Sequence, residues 1–530
     1  MSWILAIDLG NGGPKVAAVD VDGQILATAF QPVSVYVGRD GTATQDAIEW
    51  EAALRSAIAR VTEDVSREEL YAIGITGQWA STVPVGPDDA PAGPVMLWSD
   101  TRSRHNVRKL IGGPISVGGY APHKVLPWLR ITGGAPNPSG ADPTGHSLLL
   151  QNELSDVGER CRVLLEPVDY VAFLLTGRAA ATPASMTASW LTDNHIGSEP
   201  AYVDDLVRRS GRKRHLLPEL IPTGSIQGDL LPGPAERLGL KAGVPVACGI
   251  PDVHAAVIGS GAVNAYDTHL AVSTTAWLSA RVPFKRTDIL HSIATLPGLD
   301  PAMNLVGNNI ETGGAALSWL REQIIAPSDG LLGGGSGIGA DGAAPILEQP
   351  TYDALTALAA TAPAGCEGLI FTPWLAGERS PIEDKNLRAA FVNMSFRTDR
   401  AMMVRAVMEG VALNIGWLFA YYEKYLKRSV PSLRVLGGGA QSDLWCSIIA
   451  STLDRRIEQV ADPLNAQLRG VAMWALVCMG ELTLEQAAAR VPVARTFDPV
   501  PGDREVYQQH FIEYKKLYPA LKGFYRRMNG

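Results

Sequence analysis

The chain has 530 residues, too many for one ordinary core, and its 46 basic and 54 acidic residues make it mildly negative. No run of Lys or Arg compensates locally, so a nucleic-acid partner is not expected and small soluble ligands are. Five widely spaced cysteines fit free thiols in a reducing compartment, and no leader or membrane-length apolar run is visible, so the expectation is a cytoplasmic protein with no membrane partner.

Residues 3–10 read as a buried strand ending in Asp8 and Gly10; residues 16–21 and 24–28 complete a meander around a turn at Asp22-Gly23. Between the first two strands lies Asp8-Leu9-Gly10-Asn11-Gly12-Gly13-Pro14-Lys15. Its glycines let peptide N–H groups face an anion while a carboxylate and an ammonium flank it, a phosphate-and-metal cradle that is not a Walker loop. An ordinary hairpin turn with a solvated Lys15 is the competing reading. Apolar positions at helical spacing predict a helix over 46–61, then a strand over 70–75 leading to a polar turn with Gln78 and Trp79. A strand over 95–98 delivers Asp100 and Arg102 in the same way. An amide, an indole, a carboxylate and a guanidinium suit a polyhydroxylated ligand, although each alone also reads as a cap or a surface ion pair. Residues 112–145, rich in Gly and Pro, predict an irregular excursion around a cleft; 148–175 resume a helical pattern that stops at Gly177.

At mid-chain an apolar strand ends in Gly249-Ile250-Pro251, then a single acid, Asp252, then a small-residue helix. A carboxylate on such a turn is placed to act as a general base, and equally to cap the helix. The division into halves is expected just after it, as 1–254 and 255–530. Residues 269–280 read as strand, hydroxyl-rich turn and strand, with Ser273 and Thr274 as either a second phosphate loop or plain turn residues. Residues 308–314 lead into a helix over 315–322. A formal G-x-G-x-x-G at Gly337, Gly339 and Gly342 lacks a preceding strand, so it reads as a flexible loop and not a dinucleotide site. A long core helix follows over 402–426. The strand 433–436 then runs into Gly437-Gly438-Gly439-Ala440, where a flat base or a phosphate can approach the backbone closely.

In joint order these pieces resemble the FGGY family of carbohydrate kinases, most of all its xylulokinase-like branch. The carriers are Asp8-Leu9-Gly10 with Lys15, Gly77-Gln78, Trp98 to Arg102, Asp169-Tyr170 with Leu175-Thr176-Gly177, Gly249 with Asp252, Ser273-Thr274, Gly313-Gly314, Gly377 to Pro381, Glu409-Gly410 and Gly437 to Ala440. The resemblance implies an α/β fold of two ribonuclease H-like domains, of the actin/hexokinase superfamily, around a central cleft. It implies Asp252 as general base and Asp8 holding Mg2+ through water. Gly10, Asn11, Gly12, Lys15, Ser273, Thr274, Gly313 and Gly314 would lie near the phosphates of ATP, Gly437, Gly438, Gly439 and Ala440 at the adenosine, and Gln78, Trp79, Asp100 and Arg102 around the carbohydrate. The implied activity is phosphorylation of a primary hydroxyl of a ketose or polyol, a pentulose such as xylulose being the first choice. A non-catalytic sugar or nucleotide sensor and an actin- or chaperone-like ATPase are the alternatives; a homodimer is left open. The chain departs from the family where Asn11, Gly12 and Gly13 replace loop hydroxyls, which shifts phosphate binding there towards the backbone, and where Trp79-Ala80 replace the Met-His of many xylulokinase-like members.

Overall fold

A computed structural model of the chain describes residues 2–116, 118–326 and 349–530. The glycine-rich stretch 333–342 lies outside the described residues. The first sheet runs in the order Ile226–Asp229, Pro245–Ala247, Leu70–Gly77, Trp3–Gly10, Gly13–Asp20 and Ile25–Phe30, with Ile250–Pro251 pairing further along Leu70–Gly77. Trp3–Gly10 is apolar on both faces because both are covered. Trp3, Leu5, Ile7 and Leu9 pack with the helices Ala47–Val61 and Pro167–Thr176, whereas Ile4 and Ala6 pack with Asp252–Ser260 and Ala466–Cys478. The helix predicted over 46–61 is present as Ala47–Val61, with the Asp46 carboxylate accepting from the Ile48 amide.

The second sheet has eight strands, ordered Thr287–Asp288, Ile293–Pro297, Asn304–Gly307, Ala276–Val282, Thr268–Val272, Ser432–Leu436, Arg456–Val460 and Val493–Phe497. Its centre repeats the first: an antiparallel hairpin, Thr268–Val272 with Ala276–Val282, and a parallel strand on the hairpin's other side. The long helix Arg400–Leu426 is a core helix, with 89% of its most apolar window buried. Helix Ala466–Cys478, from late in the chain, crosses Asp252–Ser260 at very close range. A Cβ at Gly259 would overlap the Ala466 carbonyl and one at Gly470 the Ala255 carbonyl, so only glycine allows this crossing.

Two expectations need correction. Residues 112–145 are not simply irregular: they contain the helix Pro122–Ile131 and the start of Pro143–Asn152, each opened by a proline at its first position, where the missing N–H costs nothing. The apolar pattern over 148–175 is not one helix either. It covers the end of Pro143–Asn152, then Ser155–Arg160, the strand Val163–Leu165 and Pro167–Thr176, because a short buried strand and a buried helix look alike in an apolar run. The stop at Gly177 is present, in a left-handed C-cap with φ 70°.

Candidate active site

Strand register assembles the site. Asp8 lies opposite Lys15 in the antiparallel pair and opposite Thr76 in the parallel pair, while Ile250 and Pro251 lie opposite Thr76 and Gly77. Three adjacent strands therefore end together, and the residues that follow, Gly10, Gln78 and Asp252, share one rim. In α/β sheets this carboxyl edge is where ligands bind. The N-cap of the following helix is Pro251, so Asp252 is its first helical residue; its carboxylate accepts from the Val253 amide at 2.7 Å. Burial first, and the neighbouring Asp8 carboxylate second, raise the Asp252 pKa to about 7. Asp8 is raised by burial as well, against the pull of the Lys15 ammonium.

Lys15 is half-buried, and its ammonium donates in an exposed position to the Leu464 carbonyl at 3.4 Å. The adjacent Pro463 carbonyl accepts from the Gly437 amide at 2.8 Å, so one loop of the second half ties the first-sheet lysine to the glycine turn. Gly437 has φ 93°, and a Cβ there would stand 2.6 Å from the Val272 carbonyl oxygen and 2.8 Å from Ser273 Oγ. The Ser273-Thr274 turn is gripped from the other side by Gly313, whose amide donates to the Thr274 carbonyl at 2.8 Å, and by Gly314, whose amide donates to the Ser273 carbonyl at 2.6 Å. These two amides are thus spent within the protein, and the glycines act by close packing. Ala440 faces the core with no exposed surface, and its carbonyl accepts from Gln459 Nε2 at 2.7 Å, whereas Gly438 is exposed. A cavity of about 600 Å³ opens just beyond this turn, lined by Thr356, Ala360, Gln441, Ser442, Gln459 and Asp462 among others. Its size suits a nucleoside. The sequence offered no signal for Thr356, which comes from the helix Tyr352–Ala360.

On the first half's side, the strand Ala43–Gln45 bonds to both Gln78 and Asp100. Gln78 Nε2 donates to Gln45 Oε1 at 3.1 Å, and Gln45 Nε2 donates to the Asn11 carbonyl at 2.8 Å, joining the turn after Leu70–Gly77 to the loop over 8–15. Gln78 Oε1 is buried with no protein partner, an acceptor left for a ligand hydroxyl. Asp100 has no exposed surface, so the surface-pair reading fails: it accepts from Arg102 Nη2 at 2.7 Å, from Arg102 Nε at 3.0 Å and from the Ala43 amide at 3.2 Å. Trp79 is half-buried, while Asn11 and Gly12 are exposed. Sequence reasoning missed Gln45 and the buried Glu166, since neither stands in a recognisable motif.

The residues fit both cofactors. Among the described residues no group of three or more His, Cys, Asp or Glu side chains could hold a metal. Mg2+, however, keeps most of its waters and needs only one or two carboxylates beside phosphate oxygens, and the strained Asp8 and Asp252 pair would be relieved by a cation. The glycine turn and the cavity beyond it fit the nucleotide.

Comparison with known proteins agrees over nearly the whole chain. The N-terminal domain model of the FGGY family of carbohydrate kinases matches residues 3–118 and 145–259, and the C-terminal domain model matches 269–479. A xylulose kinase from Staphylococcus epidermidis is 24% identical over 536 residues, covering 98% of this chain and 97% of its own. A gluconokinase from Bacillus subtilis is 21% identical over 523 residues, covering 98% and 95%. The structure of a ligand-bound xylulose kinase from Lactobacillus acidophilus superposes with a TM-score of 0.82 at 21% identity, covering 100% of both chains. With both halves matched in order and the two-domain α/β fold shared, the chain belongs to the FGGY family of carbohydrate kinases and is a sugar kinase.

Proposed function

We propose that this kinase transfers the γ-phosphoryl group of ATP to a primary hydroxyl of a ketose, a pentulose such as xylulose, with Asp252 as the general base and with lobes divided near 254 and 255. The observation that carries this reading is the place of the Asp252 carboxyl, at the start of its helix on the rim shared with Asp8 and Gln78. Asp252 takes the hydroxyl proton as that oxygen forms its bond to phosphorus and the bond to the ADP oxygen breaks. Lys15, Ser273 and Thr274 hold the phosphate oxygens, and the 437–439 turn with the adjoining cavity holds the nucleoside. Mg2+, held by Asp8 through water, would supply neutralisation of the charge on the transferring group. Positioning between two lobes excludes water, the competing nucleophile.

The buried Asp100 accepts from Arg102 Nε and Nη2, so the Arg102 guanidinium is already charge-paired, which favours a neutral acceptor over an aldonate. Trp79 would cover the apolar face of the sugar and Gln78 Oε1 accept from a hydroxyl. The free state of the cysteines Cys161, Cys248, Cys366, Cys446 and Cys478 accords with a reducing, cytoplasmic setting. Coupled measurement of ADP release over pentuloses, hexuloses, polyols and aldonates tests the reading: a pentulose should give the highest kcat/KM, and a clear preference for an aldonate would overturn it.

A further inference from the structure

The 78–81 turn is held by a carboxyl from a distant part of the chain. Strand Val83–Val85 pairs antiparallel with Val163–Leu165, Val83 lying opposite Leu165, so the next step of the ladder sets Thr82 beside Glu166. Glu166 is 2% exposed, and its Oε2 accepts from the Ser81 amide at 3.2 Å; the Ala80 amide acts on the same carboxyl. Ala80 has φ 60°, a left-handed conformation that is unfavourable for a residue with a side chain and persists only where neighbours hold it. Ser81, itself fully buried, passes the restraint on: its hydroxyl accepts from the Trp98 amide at 3.0 Å, at the head of the turn that presents Asp100 and Arg102.

Burying a carboxyl is expensive, and nothing about packing alone calls for one here. Among the described residues Glu166 Oε1 has no hydrogen-bond partner; burial first, then Asp169, opposes its charge, and the two turn amides and the guanidinium of buried Arg212 favour it. A group kept at that cost, bonded to the backbone beside Gln78 and Trp79, has a task in holding that backbone.

We propose that Glu166 is a positioning residue for the carbohydrate acceptor: it fixes the 78–81 turn and, through the Ser81 hydroxyl, the 98–102 turn in the shape that receives the sugar. This rests on the assignment of Gln78, Trp79, Asp100 and Arg102 to the acceptor side. Steady-state kinetics of Glu166→Ala, Glu166→Gln and Ser81→Ala test it, using whichever carbohydrate the wild type phosphorylates best. Losing a hydrogen bond to a carboxyl group is expected to raise the acceptor KM roughly ten- to hundredfold in Glu166→Ala, with the ATP KM unchanged. Glu166→Gln, which keeps an amide-accepting oxygen, should recover most of the loss. Ser81→Ala should act in the same direction, and the Glu166→Ala/Ser81→Ala pair should be no worse than its worse member, because both break one chain of contacts. An unchanged acceptor KM, parallel rises in both KM values, or a Gln variant as poor as the Ala variant would overturn the proposal. Where Glu166→Ala does not fold, Ser81→Ala decides, and a wild-type acceptor KM in that variant overturns it. Since the acceptor is chosen by the screen, a non-pentulose acceptor refutes the substrate reading separately.

Discussion

Asp8 and Asp252 face each other across one strand: Trp3–Gly10 and Ile250–Pro251 flank Leu70–Gly77, and burial first, then the Asp8 charge, opposes ionisation of Asp252. Two acids both pushed upward by burial are costly to the apo fold, and such arrangements persist where function needs them.

Replacing Asp252 by Asn removes the base but keeps the shape. Turnover is expected to fall by about 10²–10⁴-fold while nucleotide binding, measured by calorimetry, is retained. Wild-type turnover in the variant would take Asp252 out of the mechanism.

The acid pair also sets a pH dependence. In the metal-free protein, carboxyl NMR should show Asp252 titrating near pH 7, and Asp8→Asn should lower that midpoint because the opposing charge is gone. The linkage sign is the reverse of a salt-bridged acid: a folded pKa above the unfolded value of 3.8 means that the stability contributed by the protonated form is lost as pH rises from about 4 to 7. Asp252→Asn should therefore flatten the fall in stability with pH over that window in denaturant titrations, and an unaltered slope would contradict the shift.

At the glycine turn, Gly437→Ala forces a side chain into φ 93° and against the Val272 carbonyl. A loss of roughly 1–3 kcal/mol of stability is expected from the backbone conformation, together with weaker ATP binding as the turn moves. Gly438→Ala is the control: its Cβ meets only Leu464 Cδ1, at 3.9 Å, so its thermal midpoint should stay near wild type.

Asp100 and Arg102 stand or fall together. Arg102→Met leaves a fully buried carboxylate without its guanidinium, and breaking a buried pair this way costs about 3–5 kcal/mol. The double variant Asp100→Asn/Arg102→Met should recover part of that stability without recovering the acceptor KM. Equal stability of the single and double variants, measured by urea unfolding, would show that the pair is not energetically coupled.

Much of the molecule was legible in the chain because its signals are local. The unbroken apolar run of Trp3–Gly10, the period of Ala47–Val61, and glycines at strand ends each depend on a few consecutive residues and on steric rules that hold anywhere. Prolines misled in 112–145, since the same residue that ends a helix also begins one, and only the neighbours decide which.

By itself, the sequence determined the family, the order of the strands and glycine turns, and Asp252 as the acid to watch. The tertiary structure alone decided which groups share an environment: that Asp8 acts on Asp252, that Asp100 is buried against Arg102, that the Gly313 and Gly314 amides are already occupied, and that Glu166 reaches Ser81. The physical reason is that burial, charge and hydrogen-bond supply are set by strand register between residues tens to hundreds of positions apart, and no local pattern carries that register.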